Sequence, residues 1–247
     1  MTKAFTSMEV ENAIKKLKNN KSPGYDNLSA KLLKNSPPVI HEYIAEIYNE
    51  MAETGKYPCE IKDGLLIPLQ KPGKEKGKIE NLRPVILLNV VRKILAIIML
   101  ERLFERFDKE ISISQSAYRP GRSTTENVFA LKLCEKAIIS QHYEANILLL
   151  DMSKAFDNVN RGALFRDLIK IVGSDEIHIL KILIEDVVIK VKNGKTTGKD
   201  FVTNIGVPQG DCLSPILFTL YLSKTMKCEE DMEENNQVID HEYAKKT

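Results

Sequence analysis

A chain of 247 residues, 43% hydrophobic and 28% charged, can bury one large core or two small ones and reads as a soluble globular protein. Its formal net charge of +2 neither demands nor excludes a nucleic-acid partner, because a basic groove can be offset elsewhere, here by Glu229, Glu230, Asp231, Glu233 and Glu234. No uncharged span reaches the roughly 18 residues of a membrane helix, no secretory leader is recognisable, and Cys59, Cys134, Cys212 and Cys228 form no CxxC pair; the sequence points away from membrane, zinc and disulfide classes and towards a reducing, intracellular setting, cytoplasm or nucleus.

In chain order, Thr6-Ser7-Met8-Glu9 is a capping-box pattern opening a helix with Met8, Val10, Ile14 and Leu17 inward. Lys15, Lys16, Lys18 and Lys21 follow, a pattern that by itself describes a solvated helix face. Ser22-Pro23-Gly24-Tyr25-Asp26 is a turn by composition. Ser36 and Pro37 start a second helix, ended by Gly55 as a C-cap. Its Val39, Ile40, Tyr43, Ile44, Ile47, Tyr48 and Met51 sit at helical spacing and predict a core stripe. Leu65-Leu66-Ile67-Pro68-Leu69 reads as a strand in which Pro68 marks an edge or a bulge. The basic, turn-rich Lys71-Pro72-Gly73-Lys74-Glu75-Lys76-Gly77-Lys78 joins it to a second strand, Arg83-Pro84-Val85-Ile86-Leu87, as a hairpin. A long helix over 90–111 carries Ile94, Leu95, Ile98, Leu103 and Phe107 inward, with Lys93 and Arg102 either on its solvated surface or facing nucleic acid. A polar loop over 115–123 holds Arg119 and Arg122. Ser123 or Thr124 then caps a helix to about Gln141, with Val128, Leu131 and Ile138 inward.

The apolar run Ile147-Leu148-Leu149-Leu150 predicts a strand buried on both faces, and it ends on a carboxylate, Asp151. A second carboxylate, Asp157, follows where the chain turns. A carboxylate at the end of a buried strand is well placed to hold a hard cation, and Mg²⁺ takes few protein carboxylates and leaves room for substrate phosphates. Read alone, Asp151 is more simply a strand ending in a solvated side chain. Asn160 caps a helix ending at Gly173, and Ser174 with Asp175 and Glu176 opens another, since acidic residues suit a helix N-terminus. The segments 187–192 and 201–205 suggest a hairpin through Asn193-Gly194. Gly206-Val207-Pro208-Gln209-Gly210-Asp211-Cys212-Leu213-Ser214-Pro215 is a Gly-rich turn running into a helix that carries Ile216, Leu217, Leu220 and Tyr221.

Together the segments 148–157 and 206–215 resemble motifs A and B of reverse transcriptases, in the version carried by non-LTR retrotransposons. The likeness extends to Lys21-Ser22-Pro23-Gly24-Tyr25-Asp26, to Leu82-Arg83-Pro84-Val85 and to Gln115-Ser116-Ala117-Tyr118-Arg119-Pro120-Gly121-Arg122-Ser123-Thr124, all in the family's order at family-like spacing. The resemblance implies an α+β fold, the fingers and partial palm of a right-hand polymerase without its thumb, with an N-terminal extension and fingers over 1–144 and a partial palm over 145–247. It implies an RNA-directed DNA polymerase, a nucleotidyltransferase that joins a primer 3′-hydroxyl to the α-phosphorus of a dNTP. Two Mg²⁺ ions, or Mn²⁺ in their place, clamp the attacking and leaving oxygens. An RNA template, a DNA primer and dNTP are the implied partners.

Carried over residue by residue, Asp151 matches the metal-binding, catalytic carboxylate of motif A, and the backbone carbonyl of Met152 a second metal contact. Lys71 and Arg83 match positions that meet the incoming triphosphate; a guanidinium offers a rigid fork of donors suited to phosphate. Phe156 matches the bulky residue under the sugar, and Gln209 and Gly210 the residues beside the nascent base pair. Arg119 and Arg122 fall in a segment that touches template, and the segment 21–26 helps to hold it.

Motif C departs from the family. Where the pattern asks for Tyr-Ala-Asp-Asp, the chain reads Tyr243-Ala244-Lys245-Lys246. Two negative charges become two positive ones, and a unit charge at 4 Å matters by about 4 kcal/mol in a partly screened site. The expectation is therefore a reverse transcriptase domain, truncated at motif C and inactive by itself. The competing expectations are a module that binds RNA or an RNA–DNA hybrid without catalysis, and a relic with no retained role.

Overall fold

The computed structural model describes residues 3–194 and 196–224. Helices α1 (Ser7–Lys16), α2 (Ala30–Lys34) and α3 (Pro38–Thr54) precede the hairpin strands β1 (Asp63–Gln70) and β2 (Leu82–Leu88). Then come α4 (Val90–Glu110), α5 (Thr124–Ser140), α6 (Arg161–Leu168), α7 (Ser174–Ile184), β3 (Val187–Asn193) and β4 (Thr196–Thr203). A further helix, α8, covers 214–224 of the described residues.

Local chemistry sets the helix ends. The Thr6 hydroxyl accepts the Glu9 N–H at 3.2 Å, and the Glu9 carboxylate accepts the Thr6 N–H at 3.0 Å, so two N–H groups at the start of α1 are satisfied reciprocally. Gly55 closes α3 at φ +70° with its N–H donated to the Met51 carbonyl. The Ser123 hydroxyl caps α5 by accepting the Thr125 N–H at 3.1 Å. Ser174 opens α7 as expected, after Gly173 at the N-cap, and the Glu176 carboxylate accepts the Gly173 N–H at 2.8 Å.

The core is built on α4. Ile94, Leu95, Ile98, Leu103 and Phe107 are all buried, as their spacing predicts, in one cluster with Val10 and Ile14 of α1, Ile44, Tyr48 and Met51 of α3, and Leu164, Leu180 and Leu217 of α6, α7 and α8. Two arginines on α4 peg its neighbours with paired hydrogen bonds: Arg102 to Glu9, both at 2.8 Å, and Arg106 to Glu176 at 2.8 and 2.5 Å. Arg102 also donates to the Lys3 and Ala4 carbonyls, so it is an intramolecular anchor.

The four strands form a single sheet in the order β2-β1-β3-β4. The β1–β2 and β3–β4 pairs are antiparallel and β1–β3 is parallel. Pairing with β3 runs only from Asp63 to Leu66, so Pro68 lies where β1 is locally an edge and its missing N–H costs that pairing nothing. The sheet joins strands from both sides of residue 144.

Several expectations fail, most of them on burial. The run 147–150 forms no strand; it is irregular, and its four side chains are 60–84% exposed. The helix α5 forms, but none of its residues is buried: Val128 and Leu131 are exposed and Ile138 is half-buried. Met8, Val39, Tyr43 and Ile47 are exposed on helices whose other apolar residues are inside. The helix α6 stops at Leu168, short of Gly173, and β4 starts at Thr196 rather than Phe201. Periodicity reports what a segment can bury, not whether a partner surface lies against it, and for 147–150 and α5 none does among the described residues.

Candidate active site

The loop 204–213 between β4 and α8 is held at three points. The Gly206 N–H donates to the Val159 carbonyl and the Val207 N–H to the Phe156 carbonyl, each at 2.9 Å. The Gln209 amide nitrogen donates to the Asp157 carboxylate at 2.9 Å. On the other side, the Ile86 N–H of β2 donates to the Gln209 carbonyl at 3.0 Å. Two glycines permit this closeness. A Cβ on Gly206, at φ +77°, would lie 2.7 Å from the Asp157 carbonyl oxygen, and one on Gly210, at φ +122°, 2.5 Å from that of Ile86. The hairpin, the turn at 153–158 and the Gly-rich loop are thus one assembly.

Phe156, Gln209 and Gly210, three residues singled out from the sequence, line one pocket of about 170 Å³ with Asp211, Ser214 and Pro215. The Phe156 ring is half-buried against Phe218, centroids 4.9 Å apart, and meets the Tyr118 ring edge-on at 6.1 Å. A larger apolar cleft of about 400 Å³ lies on the far side of the loop, between the sheet and the segment 203–208.

The remaining predicted residues are more dispersed. Arg83 is exposed on β2 opposite Leu69, with no hydrogen bond or ion pair among the described residues. The Lys71 ammonium donates to the Glu80 carbonyl of its own loop at 2.9 Å. Arg119 is mostly buried and committed: it donates to the Asp108 carboxylate at 2.7 Å and to the Ser112 and Gln115 carbonyls. Arg122 is more open and pairs with Glu126 at 3.4 Å. Asp151 and Met152 are exposed on the irregular segment, and no group of three or more His, Cys, Asp or Glu side chains converges among the described residues. Tyr243, Ala244, Lys245 and Lys246 lie outside the described residues.

Two arginines that sequence reasoning passed over hold the loop in place. Arg161 donates to the carbonyls of Thr203, Ile205 and Gly206 at 2.6, 3.1 and 2.7 Å and to the Thr203 hydroxyl at 2.9 Å. Burial lowers its pKa. Arg92 is only 1% exposed; it donates to the Asp211 carboxylate at 3.1 Å and to the Leu183 carbonyl, while its Nε and Nη1 have no partner among the described residues. Each lies in the first turn of its helix, where a cation opposes the helix dipole. That local conflict was the available signal that a specific partner holds each one.

The described chain is a mixed α/β protein in which the Gly-rich loop is hydrogen-bonded to both the hairpin and the carboxylate turn. Residues 69–238 match the family described as reverse transcriptase (RNA-dependent DNA polymerase), and the chain belongs to that family. Its relatives are the polymerases of non-LTR retrotransposons. It is 31% identical over 218 residues to the probable RNA-directed DNA polymerase from transposon BS of Drosophila melanogaster, an overlap covering 86% of this chain and 24% of that protein. With the RNA-directed DNA polymerase from mobile element jockey of the same fly it shares 28% over 225 residues, 89% of this chain and 24% of the relative. With the transposon TX1 uncharacterized 149 kDa protein of Xenopus laevis it shares 28% over 217 residues, 87% and 16% of the two chains. The chain thus spans about a quarter, or less, of the length of these relatives.

Proposed function

We propose that this chain is the part of an RNA-directed DNA polymerase that holds nucleic acid and nucleotide, in a copy whose chemistry is lost. The observation that carries the reading is the joining of hairpin, turn and Gly-rich loop through the Ile86–Gln209, Val207–Phe156 and Gln209–Asp157 hydrogen bonds. These are the segments in which the family's dNTP contacts fall. The hairpin of β1 and β2 is read as the fingers. Arg83, exposed and without a partner among the described residues, is placed to meet phosphate; Lys71 must first leave the Glu80 carbonyl. Arg119 acts through the loop it clamps, leaving Arg122 as the template contact.

The donor set does not fit the two Mg²⁺ ions that the family implies. Asp151 stands apart from any converging carboxylates among the described residues. The sequence places Lys245 and Lys246 where two further carboxylates belong. Two ammonium groups beside a cation site repel the ion instead of holding it. Binding without catalysis is therefore the second half of the proposal, favoured by the open Arg83 and the lysine-rich hairpin loop.

Two measurements on the purified chain test it. Primer extension on an RNA template with dNTPs and Mg²⁺ is expected to give no product, and any Mg²⁺-dependent extension would overturn the loss of chemistry. Fluorescence anisotropy with an RNA–DNA hybrid is expected to show affinity falling steeply with salt, with a log–log slope of roughly −0.9 per phosphate contact. Absent or salt-insensitive binding would sink the binding reading.

A further inference from the structure

Tyr118 stands at φ +60°, in the left-handed region that bulky side chains rarely enter. A glycine or an asparagine would take that backbone at less cost. Strain of this kind persists only where the surroundings impose it, and here they do so on both sides. The next residue, Arg119, clamps the loop to the Asp108 carboxylate at 2.7 Å and to the Ser112 and Gln115 carbonyls. Two residues earlier, the hydroxyl of the buried Ser116 donates to the Asn127 side-chain oxygen of α5 at 2.8 Å. Tyr118 itself is 54% exposed, so filling the core does not account for it.

What the strained turn achieves is a ring contact. Tyr118 meets Phe156 edge-on, with centroids 6.1 Å apart and planes at 79°, a favoured aromatic geometry. Phe156 in turn lies against Phe218 of α8, at 4.9 Å and 34°. The Val207 N–H on its carbonyl fixes the Phe156 backbone, but that bond leaves the side chain free to turn. The two neighbouring rings take up that freedom. Phe156 lines the small pocket beside Gln209 and Gly210, and Tyr118 does not. Tyr118 therefore bears on that pocket through the Phe156 ring.

We infer that Tyr118 is a positioning residue for sugar selection: it holds the Phe156 ring where a ribose 2′-hydroxyl would clash, and so sets the preference for a deoxynucleotide over a ribonucleotide without touching either. The inference rests on the nucleotide half of the reading above and adds to it the group that orients Phe156. Specificity of this kind comes from a clash built against the wrong ligand, and a clash needs a ring that cannot swing away. The strained turn supplies that rigidity.

The test is isothermal titration of the full chain with dATP and with ATP, on an RNA–DNA hybrid whose primer ends in a 3′-dideoxynucleotide and whose first unpaired template base is uracil. Wild type is expected to favour dATP by about tenfold or more. Tyr118→Gly is expected to bring the two affinities within about threefold of each other. It should melt close to wild type, because glycine relieves the backbone as the ring contact is lost. Tyr118→Asn, which also suits this backbone, is expected to do the same, and Tyr118→Phe to keep the wild-type ratio. Phe156→Leu is expected to abolish the preference, and adding Tyr118→Gly to it to change the ratio no further, as for residues that act through one contact. If Tyr118→Gly keeps the wild-type ratio or weakens both nucleotides equally, or if wild type binds both alike, the positioning role is refuted while the nucleotide reading stands. If wild type binds neither nucleotide, both fall together.

Discussion

Replacing Arg92 by Met should be among the most damaging single changes in this chain, although Arg92 touches no solvent. Its side chain is 1% exposed and that of its partner Asp211 3%. Removing the guanidinium leaves one Asp211 oxygen buried without its ion-pair partner, with the Lys93 charge as a more distant neighbour; the other keeps the Leu213 N–H at 3.1 Å. Breaking a buried ion pair from one side costs about 3–5 kcal/mol. For a chain of this size that lowers Tm by roughly 6–20 °C. Asp211→Leu should cost at least as much, since Arg92 already has two donors without partners and would lose its counter-charge. The double variant Arg92→Met with Asp211→Leu removes both charges and keeps the volume apolar, so it should return to within about 1.5 kcal/mol of wild type. Urea unfolding of the four proteins, with m-values compared, gives the coupling energy directly. Single variants costing under about 1 kcal/mol, or a double variant costing the sum of the two, would refute the view that each charge is there to neutralise the other.

Three further outcomes are expected. Gly210→Ala should cost about 2–4 kcal/mol and release the Ile86 amide to hydrogen exchange, because a Cβ there meets the Ile86 carbonyl at 2.5 Å; Gly73→Ala, at φ +70° with nothing within 4 Å, should cost about 1 kcal/mol. The Arg119 hydrogen bond holds the Asp108 carboxyl below its ordinary range; burial pushes Glu176 and Glu9 up, but their hydrogen bonds to Arg106 and Arg102 outweigh it and leave both lowered. Carboxyls depressed in the fold are protonated first in the unfolded chain, so this stability is complete at neutral pH and is lost as pH falls below about 4. Melts from pH 7 to pH 3 should show that loss in wild type and less of it in Asp108→Asn with Glu176→Gln. Burial pushes the Cys212 thiol far above its ordinary range, so native labelling at pH 8, read by mass spectrometry, should modify the exposed Cys59 and Cys134 and reach Cys212 only after unfolding.

The motifs were legible because they are local. The capping box at Thr6 and Glu9, the C-cap at Gly55, the apolar stripe of α4 and the Gly-rich loop each depend on residues within a turn or two of one another, and the structure reproduces them. Family membership rests on the same kind of information. The clamps on the pocket were not legible in this way. Arg92 reaches Asp211 across 119 positions, and Arg161 reaches Gly206 across 45, so only the conflict with each helix dipole hinted at either.

The sequence by itself determined the hairpin of β1 and β2, the caps of several helices and the Gly-rich loop before α8, because caps, turns and helical periodicity act over short distances. Tertiary structure alone decided which apolar faces are covered. Val10 and Met8 sit on the same short helix, one buried and the other exposed, and 147–150 is apolar throughout yet open. Burial belongs to a pair of surfaces, and a sequence pattern describes only one of them. The same holds for charge. Arg83 and Arg119 look alike in sequence, but Arg119 has Asp108 and two carbonyls against it, whereas Arg83 is exposed and has no partner among the described residues.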